Sequence, residues 1–225
     1  MRSYGQYCAL AKALDVVGDR WTLLVVRELL LRPCRYGELQ DGLPGVATNL
    51  LAERLRALEE GGVVTRDEDG RYVLTEWGNR LATPVGELIR WATVLMGDKH
   101  DSEAFRSRWL ELPLQLMFGG TDPARPDLAV EIRTGEETLT LESRGGQVGI
   151  LSGPASSPDL LISGPPDAVI GLLSGRLDKN AAVEQGVSVL GDLRHIARLR
   201  DRDWPGGPSV SPRVNARAKG ARHGG

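Results

Sequence analysis

The stretch PGVATNLLAERLRALEEGGVV, residues 44–64, decides the fold because it predicts a helix with two different faces. Leu51, Leu55 and Leu58 recur at a spacing that aligns side chains along one side of an α-helix. The opposite side is polar and carries Asn49, Glu53, Arg56 and Glu60, with Thr48 and Ala52 at its margin. The leucine stripe suits a hydrophobic core, whereas the polar side needs a separate explanation.

The segments before this stretch predict three further helices. Residues 8–17 have apolar residues at helical spacing, and residues 21–31 are apolar nearly all round, which is typical of a central buried helix. Pro33 ends that helix, and residues 36–43 predict a short one. Pro44-Gly45 then forms a turn into the quoted helix.

The segments after the stretch predict a β-hairpin and one more helix. Residues 63–66 and 71–75 are two short strands joined by Asp67-Glu68-Asp69-Gly70. Thr75 can cap the next helix, which Pro84 bends or divides. Two helices joined by a tight turn and followed by a hairpin make a winged helix-turn-helix, whose second helix enters the major groove of DNA. An ordinary helical bundle with a surface helix is the alternative.

Composition and charge narrow the class of protein. The chain has 225 residues, 41% of them hydrophobic, which is enough for one or two domains with proper cores. It has no apolar run of membrane-helix length, no signal peptide and only two cysteines, so we expect a cytoplasmic protein. The net charge of −2 includes no strongly basic region, so any DNA site must be a local patch. The absence of a phosphate loop, a dinucleotide fingerprint and metal-ligand spacing predicts no enzyme, no cofactor and no metal site.

Residues 7–92 resemble the HxlR family of bacterial transcriptional regulators. The markers of this resemblance follow one another in order: Cys8, Gly18-Asp19-Arg20-Trp21-Thr22, Arg27-Glu28-Leu29, Tyr36-Gly37-Glu38-Leu39, Leu51, Arg54-Leu55, Leu58-Glu59, Gly62, Tyr72, Leu74-Thr75 and Gly78. The resemblance implies a winged-helix homodimer in which the outer helices, near residues 8–17 and 77–92, pair the subunits. The family usually has Ser where Ala47 stands, so we expect Thr48 to cap the recognition helix instead.

Residue types on the quoted helix nominate the DNA contacts. The base-facing candidates are Thr48, Asn49, Glu53 and Arg56, because Asn suits adenine, Arg suits guanine and Glu accepts from cytosine. Phosphate contacts position the protein on the duplex without reading its sequence. The candidates for such contacts are Arg35, Tyr36, Arg54 and Arg71. For Arg54 and Tyr36, bonding or packing within the fold is an equal alternative. The three carboxylates of the wing repel phosphate, so the wing either stays off the DNA or contacts it through Arg66 and Arg71.

Cys8 is a candidate redox-sensing residue. Some regulators of the HxlR family use a cysteine near this position to sense oxidants, quinones or aldehydes. Such a role requires a lowered thiol pKa, for which Lys12, one helical turn away, is a weak indication. The alternative is a buried structural cysteine.

Residues 99–203 predict a second, α+β domain. Short strands are followed by two short helices and a last strand, and an apolar helical segment near residues 105–118 is broken by Pro113. Residues 128–199 resemble the fold of sterol carrier protein 2 (SCP2), which implies an apolar tunnel for a lipid-like ligand. An ordinary packed core is the alternative.

The sequence thus predicts a winged-helix DNA-binding and dimerisation domain (residues 1–98), an SCP2-like ligand-binding domain (residues 99–203) and a disordered basic tail (residues 204–225). The expected function is a homodimeric regulator that binds double-stranded operator DNA and responds to an apolar small molecule. Two alternatives stay open: a hydrophobic-ligand carrier that uses its first domain for dimerisation, and a thiol-based sensor acting through Cys8.

Overall fold

The computed structural model describes residues 3–97, 99–100, 102–119 and 122–199, which form two units with separate hydrophobic cores. The N-terminal unit comprises residues 9–95, and the C-terminal unit comprises residues 107–199. The predicted basic tail, residues 204–225, lies outside the described residues. Among the helices that are described, none is both long enough and apolar enough to cross a bilayer.

The N-terminal unit has the winged-helix order. Its elements are α1 (Ala9–Val17), α2 (Thr22–Leu31), α3 (Tyr36–Gly42), α4 (Thr48–Glu60), β1 (Val64–Arg66), β2 (Tyr72–Leu74), α5 (Glu76–Asn79), α6 (Ala82–Ala92) and a 3-10 turn (Thr93–Leu95). The two strands pair antiparallel, and an isolated bridge joins Cys34 to Tyr72, which ties the segment before α3 to the wing. The predicted order of four helices, a hairpin and a further helical segment is therefore confirmed.

The last helical segment divides earlier than the sequence indicated. Thr75 caps α5 as predicted, because its hydroxyl oxygen accepts from the backbone N–H of Gly78 at 2.9 Å. The break, however, lies at Arg80–Leu81 rather than at Pro84. Pro84 occupies the first turn of α6, where a backbone N–H has no partner within the helix and its loss costs nothing.

The C-terminal unit is a five-stranded mixed sheet with helices. Its elements are a 3-10 turn (Ser107–Leu110), α7 (Glu111–Phe118), β3 (Leu128–Thr134), β4 (Glu137–Arg144), β5 (Gln147–Ser152), β6 (Leu160–Ser163), α8 (Pro166–Ser174), α9 (Lys179–Glu184), β7 (Ser188–Gly191) and α10 (Arg194–Leu199). The strand order is β5-β4-β3-β6-β7, in which β3 and β6 are parallel and the other neighbours antiparallel. Pro113 lies in the first turn of α7, so the predicted break there is wrong for the same reason as at Pro84.

The strand register separates the two faces of the sheet. Val130 and Ile132 pair with Leu141 and Leu139, and all four side chains are fully buried in the core with α7 and α8. The intervening positions on β3 and β4 are mostly polar, with Glu131 paired to Thr140. This alternation places the apolar layer and its helices on one face, as expected for an antiparallel-rich α+β unit.

Candidate nucleic-acid interface

Helix α4 presents one buried face and one open face. The stripe Leu51, Leu55 and Leu58 is at most 1% exposed and packs in the core of the N-terminal unit. The predicted base-facing residues all lie on the exposed side: Thr48, Asn49, Glu53 and Arg56. The structure therefore brings these four candidates together on one helix face, with hydrogen-bond donors and acceptors turned outward.

Neighbouring side chains, rather than a cap, fix the start of α4. Ala47 stands at the N-cap position and offers no side-chain acceptor, while Thr48 is already the first helical residue, so the expected cap by Thr48 is wrong. Instead, the Tyr36 hydroxyl donates to the Thr48 carbonyl oxygen at 2.7 Å. The Gln40 amide donates to Thr48 Oγ1 at 3.1 Å. Helix α3 thus holds the first turn of α4 from the side.

Arg54 ties the middle of α4 to the loop before α2. A distance of 2.7 Å joins Arg54 Nη1 to Asp19 Oδ2, and 3.3 Å joins the same nitrogen to Glu53 Oε1. The Arg54 side chain is only 15% exposed, whereas Asp19 and Glu53 are largely exposed. This geometry gives Arg54 a role in orienting α4 within the fold.

The basic residues of the wing are paired with acids. Arg71 Nη2 lies 2.5 Å from Asp69 Oδ2, and Arg71 Nε lies 4.0 Å from Asp67 Oδ2. Arg66 pairs with Glu59 at 3.1 Å and stacks on the Tyr72 ring. Burial raises the pKa of the Tyr72 hydroxyl, although the Arg66 charge acts in the opposite direction. A phosphate would have to replace Asp69 at Arg71, while Arg35 lies exposed before α3.

Apolar side chains are exposed on the two outer helices. Leu10 and Leu14 of α1 are 68% and 40% exposed, and Leu88 and Trp91 of α6 are 47% and 72% exposed. A largely apolar groove of about 550 Å³ lies between α1 and α5, lined by residues that include Ala13, Val16, Trp77 and Leu81. These helices are the ones for which the family resemblance implies subunit pairing.

The two cysteines have opposite environments. Cys8 is exposed immediately before α1, where hydrogen bonds from the backbone N–H groups of Ala11 and Leu10 lower the pKa of its thiol. Cys34 is buried, and this burial raises the pKa of its thiol to about 11. Among the described residues, no three His, Cys, Asp or Glu side chains form a cluster that could hold a metal ion.

One positioning residue, Gln40, escaped the sequence analysis, and two others, Asp19 and Glu28, were noted only as family markers. Gln40 and Asp19 contact α4 from other elements, and nothing in their local pattern shows this. Glu28 is 3% exposed, within a helix that is otherwise almost entirely apolar. A lone acid inside such a helix was the available signal, because a buried carboxylate needs specific partners.

Comparisons with known proteins match the N-terminal part of this chain to helix-turn-helix regulators. The HxlR-like helix-turn-helix family matches residues 16–100. The uncharacterized HTH-type transcriptional regulator YvaP of Bacillus subtilis (strain 168) is 40% identical over 88 residues, which are 36% of this chain and 82% of YvaP. The HTH-type transcriptional regulator YodB of the same organism is 32% identical over 89 residues, 37% of this chain and 80% of YodB. The crystal structure of quinone-bound YodB is 33% identical, with a TM-score of 0.35 over 37% of this chain and 94% of that one.

Proposed function

The chain belongs to the HxlR-like helix-turn-helix family of transcriptional regulators, and from this premise we propose that it binds operator DNA as a homodimer through the outer face of α4. The observation that carries the proposal is the division of α4 into a fully buried leucine stripe and an exposed polar face. A helix held in this way can lie in the major groove without losing its own core contacts.

The exposed face of α4 supplies chemistry for direct base readout. Asn49 can pair with adenine through its amide, Arg56 can donate two hydrogen bonds to guanine, and Glu53 can accept from cytosine. Thr48 adds a hydroxyl at the start of the helix, held in place by Gln40. We propose these four residues as the specificity-determining set.

Fewer of the candidate phosphate contacts than of the base contacts are supported by the structure. Arg35 is exposed beside α3, and the start of α4 has backbone N–H groups that no capping side chain satisfies. Such groups favour an anion. Arg71 can contribute when phosphate displaces Asp69, whereas we propose that Tyr36 and Arg54 position α4 through Thr48 and Asp19.

The exposed apolar faces of α1 and α6 support the homodimer. Both helices carry Leu or Trp side chains that remain open to solvent in a single chain. A two-fold axis beside these helices would cover the same patch on both subunits and place two copies of α4 on two half-sites. Half-sites of a dimeric reader are about 34–36 Å apart.

The experiment is a binding titration with duplexes that the full chain selects from a random-sequence pool. Arg56→Ala should weaken binding to the selected duplex by about 1–3 kcal/mol and relax the sequence preference at one base pair. Arg71→Ala should weaken binding to all DNA sequences alike. It should also reduce the slope of log affinity against log salt concentration by about one for each half-site. Arg144→Ala is the matched control, because it removes one exposed positive charge from the C-terminal unit. If the wild type and the three variants bind with equal affinity, the assignment of the outer face of α4 as the DNA-reading surface is refuted.

For the C-terminal unit we propose an SCP2-like fold that takes an apolar small molecule. Its mixed sheet, with one apolar face covered by helices, supports this assignment. The test is organic extraction of the purified chain followed by mass spectrometry. If the ligand changes the affinity of the protein for operator DNA by some factor, operator DNA must change the affinity of the protein for the ligand by the same factor. Saturable binding that leaves operator affinity unchanged would make this unit a carrier rather than an effector domain.

A second candidate function, electrophile sensing, rests on Cys8 alone. Its exposure and the lowered pKa of its thiol favour the thiolate, which is the nucleophilic form. Addition of that thiolate to a quinone would form a carbon–sulfur bond at the start of α1, beside the proposed dimer face. Treatment with benzoquinone should then change operator affinity in the wild type and leave Cys8→Ser unchanged.

A further inference from the structure

The two units meet at a buried carboxylate. Glu28, in the second half of α2, is 3% exposed and accepts hydrogen bonds from both units. From its own helix, Arg27 Nη2 donates to Glu28 Oε1 at 2.6 Å. From the C-terminal unit, Trp109 Nε1 donates to the same oxygen at 3.0 Å, and Arg108 Nε donates to Oε2 at 3.2 Å. The C-terminal unit therefore completes the hydrogen-bonding of an acid that belongs to the winged helix.

The partners of Glu28 are themselves interlocked. The Arg27 guanidinium lies over the Trp109 ring, with 4.6 Å between its Cζ atom and the ring centroid. Arg27 and Arg108 are only 18% and 13% exposed, and burial lowers the pKa of the Arg27 guanidinium while Glu28 raises it. The Glu28 carboxylate is buried between two half-buried cations, and removal of Arg108 takes a hydrogen-bond donor away from the buried Oε2 atom, which is costly for a charged acceptor.

The same contact reaches the helix-turn-helix. Gly42 is the last residue of α3, and its carbonyl oxygen accepts from Arg27 Nη2 at 3.4 Å. A Cβ atom on Gly42 would lie 2.6 Å from Glu28 Oε2 and 2.8 Å from Arg108 Nη2. The end of α3, the Glu28 carboxylate and the Arg108 guanidinium are thus packed with no spare room. The turn into α4 starts directly after Gly42, so this contact lies next to the segment that leads into the proposed reading helix.

A second contact supports a fixed arrangement of the units. Leu116 of α7 packs against Gly86 of α6, where an added Cβ would lie 3.0 Å from Leu116 Cδ2. The Leu116 carbonyl oxygen also accepts from Arg90 Nη2 at 3.4 Å. The C-terminal unit therefore contacts α2 and α6, the helices next to the proposed reading and dimer surfaces.

We propose that Arg108 and Trp109 are positioning residues for DNA reading. By completing the hydrogen bonds of Glu28 they fix α2 and the end of α3, and through these the orientation of α4. The inference rests on the proposed function and deepens it, because it makes the C-terminal unit part of the reader rather than a tethered sensor. It also names the route by which a ligand of the C-terminal unit would act on DNA affinity.

The test uses the full chain and one duplex that the wild type has selected from a random-sequence pool. Affinities for this duplex and for a scrambled duplex of the same length are measured at a temperature where each variant is folded. Trp109→Phe removes the Nε1 donor and keeps an aromatic ring, whereas Arg108→Ala removes the cation. Arg108→Lys restores the charge, and Arg144→Ala is the control, as an exposed arginine of the same unit. The ratio of the two affinities is the readout, because loss of folded protein lowers both affinities equally.

We expect Arg108→Ala and Trp109→Phe to lower the ratio by about fivefold or more, and Arg108→Lys to recover part of it. Arg144→Ala should leave the ratio within about twofold, and Glu28→Gln should add little in the Arg108→Ala background because the two groups act as one unit. Hydrogen exchange of α3 and α4 amides should rise in the same variants. If the wild type selects a duplex and both variants keep the wild-type ratio, the inference is wrong while the proposed function stands. If the wild type selects no duplex, both fail together.

Discussion

Replacing Trp91 by glutamate should dissociate the proposed homodimer. Trp91 of α6 is 72% exposed in the single chain, the largest exposed fraction among the tryptophans described as exposed. A tryptophan side chain buries about 150–250 Å² when covered. At this exposure and at about 25 cal/mol per Å², covering Trp91 is worth about 3–4 kcal/mol for each protomer. Trp91→Glu removes this contribution twice and places two like charges near the two-fold axis.

Ordering each Trp91 side chain at the interface costs about 0.5–1.5 kcal/mol, and the substitution removes this cost together with the contact, so we expect the dimer Kd to rise by about 1,000-fold or more, equivalent to at least about 4 kcal/mol. The assay is sedimentation velocity at micromolar concentration, where the wild type should have twice the chain mass and Trp91→Glu the chain mass. Leu190→Glu is the matched control, because Leu190 on the edge strand β7 is also 72% exposed but lies in the C-terminal unit. A monomeric wild type, or dissociation by both substitutions alike, would refute the assignment of this face.

Three further predictions follow from local geometry. Maleimide labelling of Cys8 should reach half its maximal rate at a pH below the ordinary thiol pKa of about 8.5, because its lowered pKa favours the thiolate. Cys34, with a pKa of about 11, should stay unlabelled in folded protein at pH 8. Labelling of both cysteines at pH 8 would contradict this prediction. Leu55→Ala should lower the free energy of unfolding by about 2–5 kcal/mol in urea denaturation, since the side chain is 1% exposed. Thr75→Ala should cost about 1 kcal/mol by loss of the cap on α5, whereas Thr75→Ser should retain it; equal losses in both would point to packing instead.

The local elements could be predicted from the sequence because their signals are local. The leucine stripe of α4 is a periodic pattern within one element, and the burial of its side chains follows directly from it. The alternation in β3 and β4 predicts the buried apolar positions, but the polar residues Glu131 and Thr140 between them are buried as well. The positions of Pro84 and Pro113 were misread because the first turn of a helix tolerates proline, and helix starts are less precisely encoded than helix interiors.

The side-chain partners were decided by the tertiary structure alone. Arg54 was a candidate for phosphate, yet its 2.7 Å pairing with Asp19 depends on how α4 packs against the loop before α2. The charge of Arg71 is offset by Asp69 within a hairpin whose exact geometry the loop sequence does not specify.

Glu28 shows the limit most clearly. The sequence by itself determined that α2 is a buried helix with one acid in it, because composition and period are properties of a single segment. Only the tertiary structure decided that this acid is completed by Arg108 and Trp109, 80 and 81 residues further along the chain. Helix formation depends on contacts within a few residues, whereas the partners of a buried charge depend on how two independently patterned units pack, which no local period records.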